Sequence, residues 1–485
     1  MSAPTVPQKT KILVVGGGPG GSYAACCLAR DGFEVTLLEA EKFPRYHIGE
    51  SMLASMKHFL RFIDLEEEFK NYGFHRKNGA AFRLHASKAV GYTDFVALHP
   101  DNYSWNVIRS ISDEMLLRHA AKEGVNVIEE MRVQEIEFDE NNRPIAALYK
   151  HTPTGETGKI SFDFLVDASG RVGIMSTKYL KNRTFNQSLK NQATWAYWRG
   201  GKKYGEGTNQ ESAPLADALS DQTGWAWYIP LHDGTHGCGM VMHENAAKEK
   251  KALLEDKSNH AFYMSELQKC PQILELLKDA EMVTDRPGPV VKSASDYSYS
   301  ASSYAGPGFR IVGDAGCFID PYFSSGVHLA NSSGLAAACS IAASIRGEAT
   351  EEEAARWHTA RVGTSYTRFL VVVLSAYQQV RHQQDPVLAD VNEQDFERAF
   401  GHFRSIIQGH TDTKPKDLSE ESLRETIEFC ANAFDTDKDP EQKMTAQKVM
   451  RGDDIFHIGN LVTDKLEGFS MRVERGKLGL DRVAA

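Results

Sequence analysis

The sequence predicts an α/β chain in which a parallel sheet is assembled from separated pieces, a strand-rich layer is interleaved between them, and helices close the C-terminal end. Three observations carry that expectation. A buried strand, a glycine turn, a helix and a second strand follow one another within residues 12–39. Two later apolar strands, at 162–171 and 309–316, each end in a turn of acidic and glycine residues. Between 190 and 245 short apolar runs follow one another at strand length. At 485 residues the chain exceeds one compact core, so two domains, or one large domain with an appendage, are expected.

The elements follow in order. KILVVGGGPGGSYAACCLARDGFEVTLLEA reads as a strand at 12–15, a helix at about 19–31 and a strand at 34–39, a βαβ unit. The irregular EKFPRYHIGES leads into helical periodicity up to about residue 71. Alternating segments follow at 80–110, then a helix at 112–123, a strand near 125–129 and a hairpin turning at NNRP (141–144). TWAYWRG, GWAWYIPL and GCGMVMH are strands, 249–279 is helical, and beyond 326 helical patterns run to the end. The nucleotide-type domain is therefore discontinuous, with pieces 10–75, 105–170 and 300–345. Regions 80–105 and 190–300 form the interleaved β-rich part within 1–345, and 346–485 is a helical cap.

Composition excludes some classes of partner. The formal charge of −10, with no block of Lys or Arg, argues against nucleic acid. The N-terminus MSAPTVPQKTK lacks the apolar core of a signal peptide. The longest late apolar run, FLVVVLSAY (369–377), is too short to cross a membrane. Seven cysteines without a CxxC pair fit a reducing compartment, so a cytoplasmic location is expected.

Gly16-x-Gly18-x-x-Gly21 follows a strand and opens a helix, and Glu39 ends the next strand. The glycines permit a tight turn and close approach of the backbone to a pyrophosphate at the helix N-terminus. Glu39 is placed to accept hydrogen bonds from a ribose diol. VDASGR (166–171) and FRIVGDAG (309–316) favour FAD over NAD, because Asp314 would meet the ribityl and phosphate region of a flavin. The fold class is then an FAD-binding Rossmann-like domain of the aromatic hydroxylase type, with a β-sheet substrate domain and a C-terminal helical cap.

The runs FPRYHIGES (43–51), WNVIRS (105–110), GWAWYIP (224–230) and FIDPYFSSGVHLA (318–330) resemble the flavin-dependent halogenases, and most closely the branch acting on phenols in fungal pathways. The similarity runs from about residue 10 to 345. It implies that Trp225, Trp227, Ile229 and Pro230 form a wall shielding the flavin. Period-two alternation independently puts Trp225, Trp227 and Ile229 on one strand face, although paired tryptophans also fill ordinary cores. The resemblance implies that halide rests on the backbone at Ser325 and Gly326, where free N–H groups at a helix start can hold an anion. It makes Lys77 of YGFHRKNGAAF the catalytic residue; the bare sequence reads HRKN as a solvated turn. Arg45, Glu50, Ser51 and Arg109 would contact flavin or line the passage. One departure stands out: the carboxylate that tryptophan-specific members carry before the halide segment is replaced by Phe323.

What the resemblance implies chemically is that FADH2 from a separate flavin reductase reacts with O2 to give a C4a-hydroperoxide, chloride or bromide attacks it, and hypohalous acid reaches Lys77. The lysine then directs halogen onto a small aromatic substrate, free or carrier-bound. The rivals are an FAD-dependent aromatic hydroxylase, a geranylgeranyl-reductase-like enzyme and a silent flavin-binding partner protein. Substrate, regiochemistry and the general base are not legible.

Overall fold

The computed structural model describes residues 4–84, 90–97, 100–381 and 465–483. Five parallel strands, in spatial order Phe309–Ile311, Thr157–Asp167, Lys9–Val15, Val35–Leu38 and Asn126–Ile128, form the heart of the first sheet. In the central three, Ile12–Val15, Val35–Leu38 and Phe164–Val166 are buried on both faces, as interior parallel strands are. The register pairs Val15 with both Asp167 and Leu38, and Asp167 with Ile311, so the carboxyl ends of these strands lie side by side. That alignment sets Gly16, Glu39, Ala168 and the Gly313–Ala315 turn along one crevice, the place where open α/β sheets take ligands. The hairpin Met131–Phe138 and Pro144–His151 extends the sheet antiparallel, turning where NNRP predicts.

The second sheet draws its strands from three separated stretches, Gly79–Asp94, Arg183–His243 and Glu281–Ala301. Its path runs Glu281–Met282, Arg183–Arg199, Thr235–His243, Gly224–Pro230, Leu215–Ala218, Gly79–Arg83 and Gly91–Asp94, and Lys292–Ala301 pairs with Arg183–Arg199. A separate two-stranded ribbon, His75–Lys77 against Ser104–Asn106, pairs Lys77 with Ser104.

Several boundaries differ from the sequence expectation. The 249–279 segment is three helices, Glu244–Leu253, Asn259–Leu267 and Pro271–Leu276. It is broken where Ser258 caps the second through its side chain and where Pro271 begins the third. FRIVGDAG stops being a strand at Ile311, because Gly313 takes a φ of +58° and starts a tight turn. The helix Glu351–Arg381 carries FLVVVLSAY, whose described residues are largely buried. The end of the chain departs from the all-helical cap. Residues Phe469–Arg472 and Gly479–Arg482 form an antiparallel hairpin, with Phe469 and Leu480 packed against Ala336, Ala343 and Trp357. Alternation over so few residues is too short a signal to distinguish strand from helix. Residues 382–464, including DTDKDPEQKM, lie outside the described part.

Candidate active site

A continuous cavity of about 560 Å³ runs from the Gly16–Gly21 turn to Lys77. It is bounded by the carboxyl ends of the first sheet, the GES segment, the Trp225–Ile229 strand face and the start of the helix Gly326–Arg346.

At the nucleotide end, Gly16 has a φ of +105°, and a Cβ there would lie 2.2 Å from the Ala168 carbonyl oxygen, so protein packing alone demands glycine. Gly18 is different. A Cβ on it would meet only Arg45 Nη2, at 3.6 Å, and Gly18 lines the cavity. The protein itself does not require glycine at this position; a phosphate group approaching the helix N-terminus would. Glu39 is buried, with Oε2 accepting from Gly17 N at 2.6 Å and Oε1 from Glu41 N at 2.7 Å. The carboxylate is thereby pinned, and the remaining lone pairs can serve a ribose diol. Asp314 lines the same cavity, and burial raises its carboxyl pKa against the pull of the cationic Arg171, Arg109 and Arg183. Turn, pinned carboxylate and second acidic turn fit an FAD.

Arg45 and Arg109 both line the cavity, and they share an anchor that the sequence reading missed. Asp113 accepts Arg109 Nε and Nη2 at 2.8 and 2.9 Å and Arg45 Nη1 at 2.9 Å. Arg109 Nη1 donates onward to the Ile48 and Gly49 carbonyls, so it shapes the GES segment. The i,i+4 spacing of Arg109 and Asp113 at a helix start was the available signal.

Glu50 and Ser51 lie on an extended stretch tied to the 105–107 backbone through Val107 N to Glu50 O and Met52 N to Trp105 O. Glu50 is buried; its Oε1 accepts from Tyr197 Oη at 2.6 Å, and burial pushes its pKa up to about 7. Ser51 Oγ accepts from Lys77 Nζ at 2.9 Å, and the Met52 carbonyl accepts from the same nitrogen at 2.9 Å. Lys77 is 2% exposed, not part of a solvated turn, and burial lowers its pKa to about 7. A neutral amine there spends both N–H groups on these acceptors and keeps its lone pair free.

Trp225, Trp227 and Ile229 all line the cavity, while Ala226 and Tyr228 enter the cluster on the opposite sheet face. Trp225 and Trp227 lie 5.9 Å apart, and Tyr322 meets Trp225 edge-on at 4.8 Å. Pro230 does not line the cavity; it ends the strand, and its carbonyl accepts from Asn106 Nδ2 at 3.1 Å. The wall is held from a distant segment: Tyr377 Oη accepts from Trp225 Nε1 and Asn191 Nδ2, each at 2.8 Å, and donates to Asp320 Oδ2 at 2.7 Å. No local pattern could reveal this contact, which spans 152 positions.

Gly326 lines the cavity, and a Cβ on it would have nothing within 4 Å. Ser325 does not line the cavity; its side chain is fully buried with Oγ unpartnered, so only its backbone can serve an anion there. Phe323 is buried between Phe82 at 5.3 Å and Tyr322 at 4.9 Å. Among the described residues no cluster of metal-ligating side chains occurs, no helix is long and apolar enough to cross a membrane, and the six cysteines are buried and free.

A family model described as tryptophan halogenase matches residues 11–99 and 88–425. The flavin-dependent halogenase ascD of Acremonium egyptiacum is 48% identical, with 99% of this chain and 94% of that protein covered. The sulochrin halogenase gedL of Aspergillus terreus is 46% identical over the same shares. Among solved structures, the myxobacterial chondrochloren halogenase CndH matches with a TM-score of 0.71 and 32% identity, covering 83% of this chain and 90% of that one. The chain belongs to the flavin-dependent halogenase family.

Proposed function

We propose that this enzyme chlorinates or brominates an electron-rich phenolic ring, using FADH2 from a separate reductase, O2 and a halide ion, with Lys77 as its catalytic residue. The observation that carries the reading is the buried Lys77 amine, with a pKa near 7, in the same cavity as the Gly16–Gly21 turn. FAD would be held by Gly16, Gly18, Gly21, Glu39, Arg45, Glu50, Ser51, Arg109 and Asp314. When reduced and exposed to O2, it supplies the two-electron oxidation that makes halide electrophilic.

The chain's own residues do the rest. Backbone N–H groups at Ser325 and Gly326, at the start of the helix Gly326–Arg346, would hold the halide; the open space at Gly326 supports this. Trp225, Trp227 and Ile229 would keep the ring away from the flavin, with Pro230 tying the end of their strand to Asn106. Ser51 Oγ and the Met52 carbonyl orient Nζ and hold its protons. With its lone pair free, Lys77 can take halogen from hypohalous acid with release of water, or hold the acid by a hydrogen bond. The ring then attacks the halogen, and the amine is regenerated.

Phe323 favours a phenol. Its ring, packed on Phe82 and Tyr322, cannot itself assist a neutral indole as a carboxylate at that position would, whereas a phenol activates its own ring on deprotonation. The relative named as a sulochrin halogenase lends support to an aromatic substrate of this class. The experiment combines purified enzyme, FAD, a flavin reductase, NADH and a panel of phenols, in bromide, chloride or halide-free buffer, with mass spectrometry for halogen isotope patterns. Halogenated phenols are expected; hydroxylated products in every buffer would overturn the reading.

A further inference from the structure

We propose that Asp320 is a positioning residue for the halogenation, holding the halide-binding turn and the tryptophan wall in register through one carboxylate; the proposal rests on the halogenation reading above. Asp320 is fully buried and does not line the cavity, so it acts through its neighbours. Each of its oxygens serves a different part of the site. Oδ1 accepts from Tyr322 N at 3.1 Å, and Oδ2 accepts from Tyr377 Oη at 2.7 Å and Asn191 Nδ2 at 2.8 Å. Its own N–H donates to Ser298 Oγ at 2.9 Å, which fastens it to the strand Lys292–Ala301 of the second sheet.

The Oδ1 bond caps the short turn Pro321–Phe323. That turn closes with Ser324 N donating to the Pro321 carbonyl at 2.8 Å, and it leaves Ser324 at φ +58° and ψ +31°. A left-handed serine is strained backbone that persists only where its surroundings fix it. Ser325 follows at φ −83° and ψ −13° and opens the helix Gly326–Arg346. A turn in which the hand changes makes successive N–H groups converge, a concavity that suits an anion. The cap on Tyr322 therefore governs where the N–H groups of Ser325 and Gly326 lie.

The Oδ2 bonds govern the wall. Four donor hydrogens meet here, one from Trp225 Nε1, two from Asn191 Nδ2 and one from Tyr377 Oη. Two oxygens receive them: Tyr377 Oη takes those of Trp225 and Asn191, and Asp320 Oδ2 takes those of Asn191 and Tyr377. Residue 320 must accept without donating, and an ionised carboxylate does so on both oxygens. Burial raises the Asp320 pKa to about 6, against the pull of the Tyr377, Asn191 and Tyr322 hydrogen bonds and of Arg381, so the group is ionised at neutral pH. An amide of the same shape has one accepting oxygen and can serve the turn or the wall, not both.

The test compares the FAD-loaded wild type with Asp320→Ala, Asp320→Asn and Tyr377→Phe. Bromide, against sulfate of equal ionic strength, is expected to raise the Tm of the wild type and of Tyr377→Phe, and to leave that of Asp320→Ala unmoved. In the complete system with reductase and a phenol, Asp320→Ala should show a bromide KM roughly fivefold higher, the size of a lost cap. Tyr377→Phe should keep its bromide KM yet divert roughly tenfold more oxidising equivalents to peroxide or hydroxylated phenol at saturating bromide, because Trp225 has lost a buried hydrogen bond. Asp320→Ala should show that diversion as well. Asp320→Asn should show one of the two defects, and it decides the matter if the alanine variant does not fold. An Asp320→Ala enzyme with wild-type bromide response and product partition overturns the proposal, as does an Asp320→Asn enzyme normal in both. Loss of the bromide response in Tyr377→Phe refutes the separate duties of the two oxygens. A wild type that halogenates no phenol refutes the halogenation reading instead, while the bromide-dependent Tm still decides whether Asp320 sets an anion site.

Discussion

Replacing Lys77 with methionine should abolish halogenation and, at neutral pH, raise stability. The amine has a pKa of about 7 in the fold against 10.5 for an ordinary lysine, so unfolding at pH 7 takes up about half a proton. For a group whose folded pKa is depressed, the cost vanishes above the unfolded value, grows as pH falls, and levels off below the folded value. At about 1.4 kcal/mol per pKa unit, burial of the amine costs roughly 4 kcal/mol at pH 7 and roughly 2 kcal/mol at pH 9. Methionine fills similar space without that charge. It also leaves Ser51 Oγ and the Met52 carbonyl without their donor, a loss of about 1 kcal/mol each that does not vary with pH over this range. Urea denaturation of both proteins at pH 7, 8 and 9 is the assay. The stability gap between variant and wild type should shrink by about 2 kcal/mol from pH 7 to 9. A gap independent of pH would refute the neutral, buried amine, and persistent halogenation by the variant would refute its role.

The two glycines should separate by cause: Gly16→Ala lowers the Tm of the protein without FAD, whereas Gly18→Ala leaves that Tm in place and weakens FAD binding, read by fluorescence titration. Tyr377→Phe removes the hydroxyl that joins Trp225, Asn191 and Asp320, and should cost about 1–3 kcal/mol in denaturant unfolding, with a shift in tryptophan fluorescence reporting the loosened wall. Ser325→Ala should leave the KM for bromide unchanged because its Oγ lies off the cavity, whereas Gly326→Val, projecting into the cavity, should raise it severalfold. Phenol halogenation should rise with pH through about 7 as the Lys77 amine loses its proton, and that inflection should be missing from the pH profile of flavin oxidation alone.

The sequence by itself determined the elements whose signal is local. Gly16-x-Gly18-x-x-Gly21 with Glu39 specifies a strand, a turn, a helix and a pinned carboxylate within thirty-odd positions, and the structure assembles them in that order. Period-two alternation likewise decided that Trp225, Trp227 and Ile229 share a face. Lys77 was legible only by resemblance, since HRKN looks solvated on its own terms. What buries it is the pairing of His75–Lys77 with Ser104–Asn106 and the covering GES segment, neither of which is encoded nearby. The same holds for Tyr377 on Trp225, for the reach of Arg45 to Asp113, and for the hydroxyl and indole groups of Tyr197, Tyr46 and Trp195 beside Glu50. A hydrogen bond between groups about 150 positions apart leaves no periodicity, and a pKa depends on desolvation by whatever packs around the group. Local backbone preference and hydrophobic period were enough for the frame; the chemistry waited on tertiary burial, which alone turns an ordinary lysine and an ordinary glutamate into groups poised near pH 7.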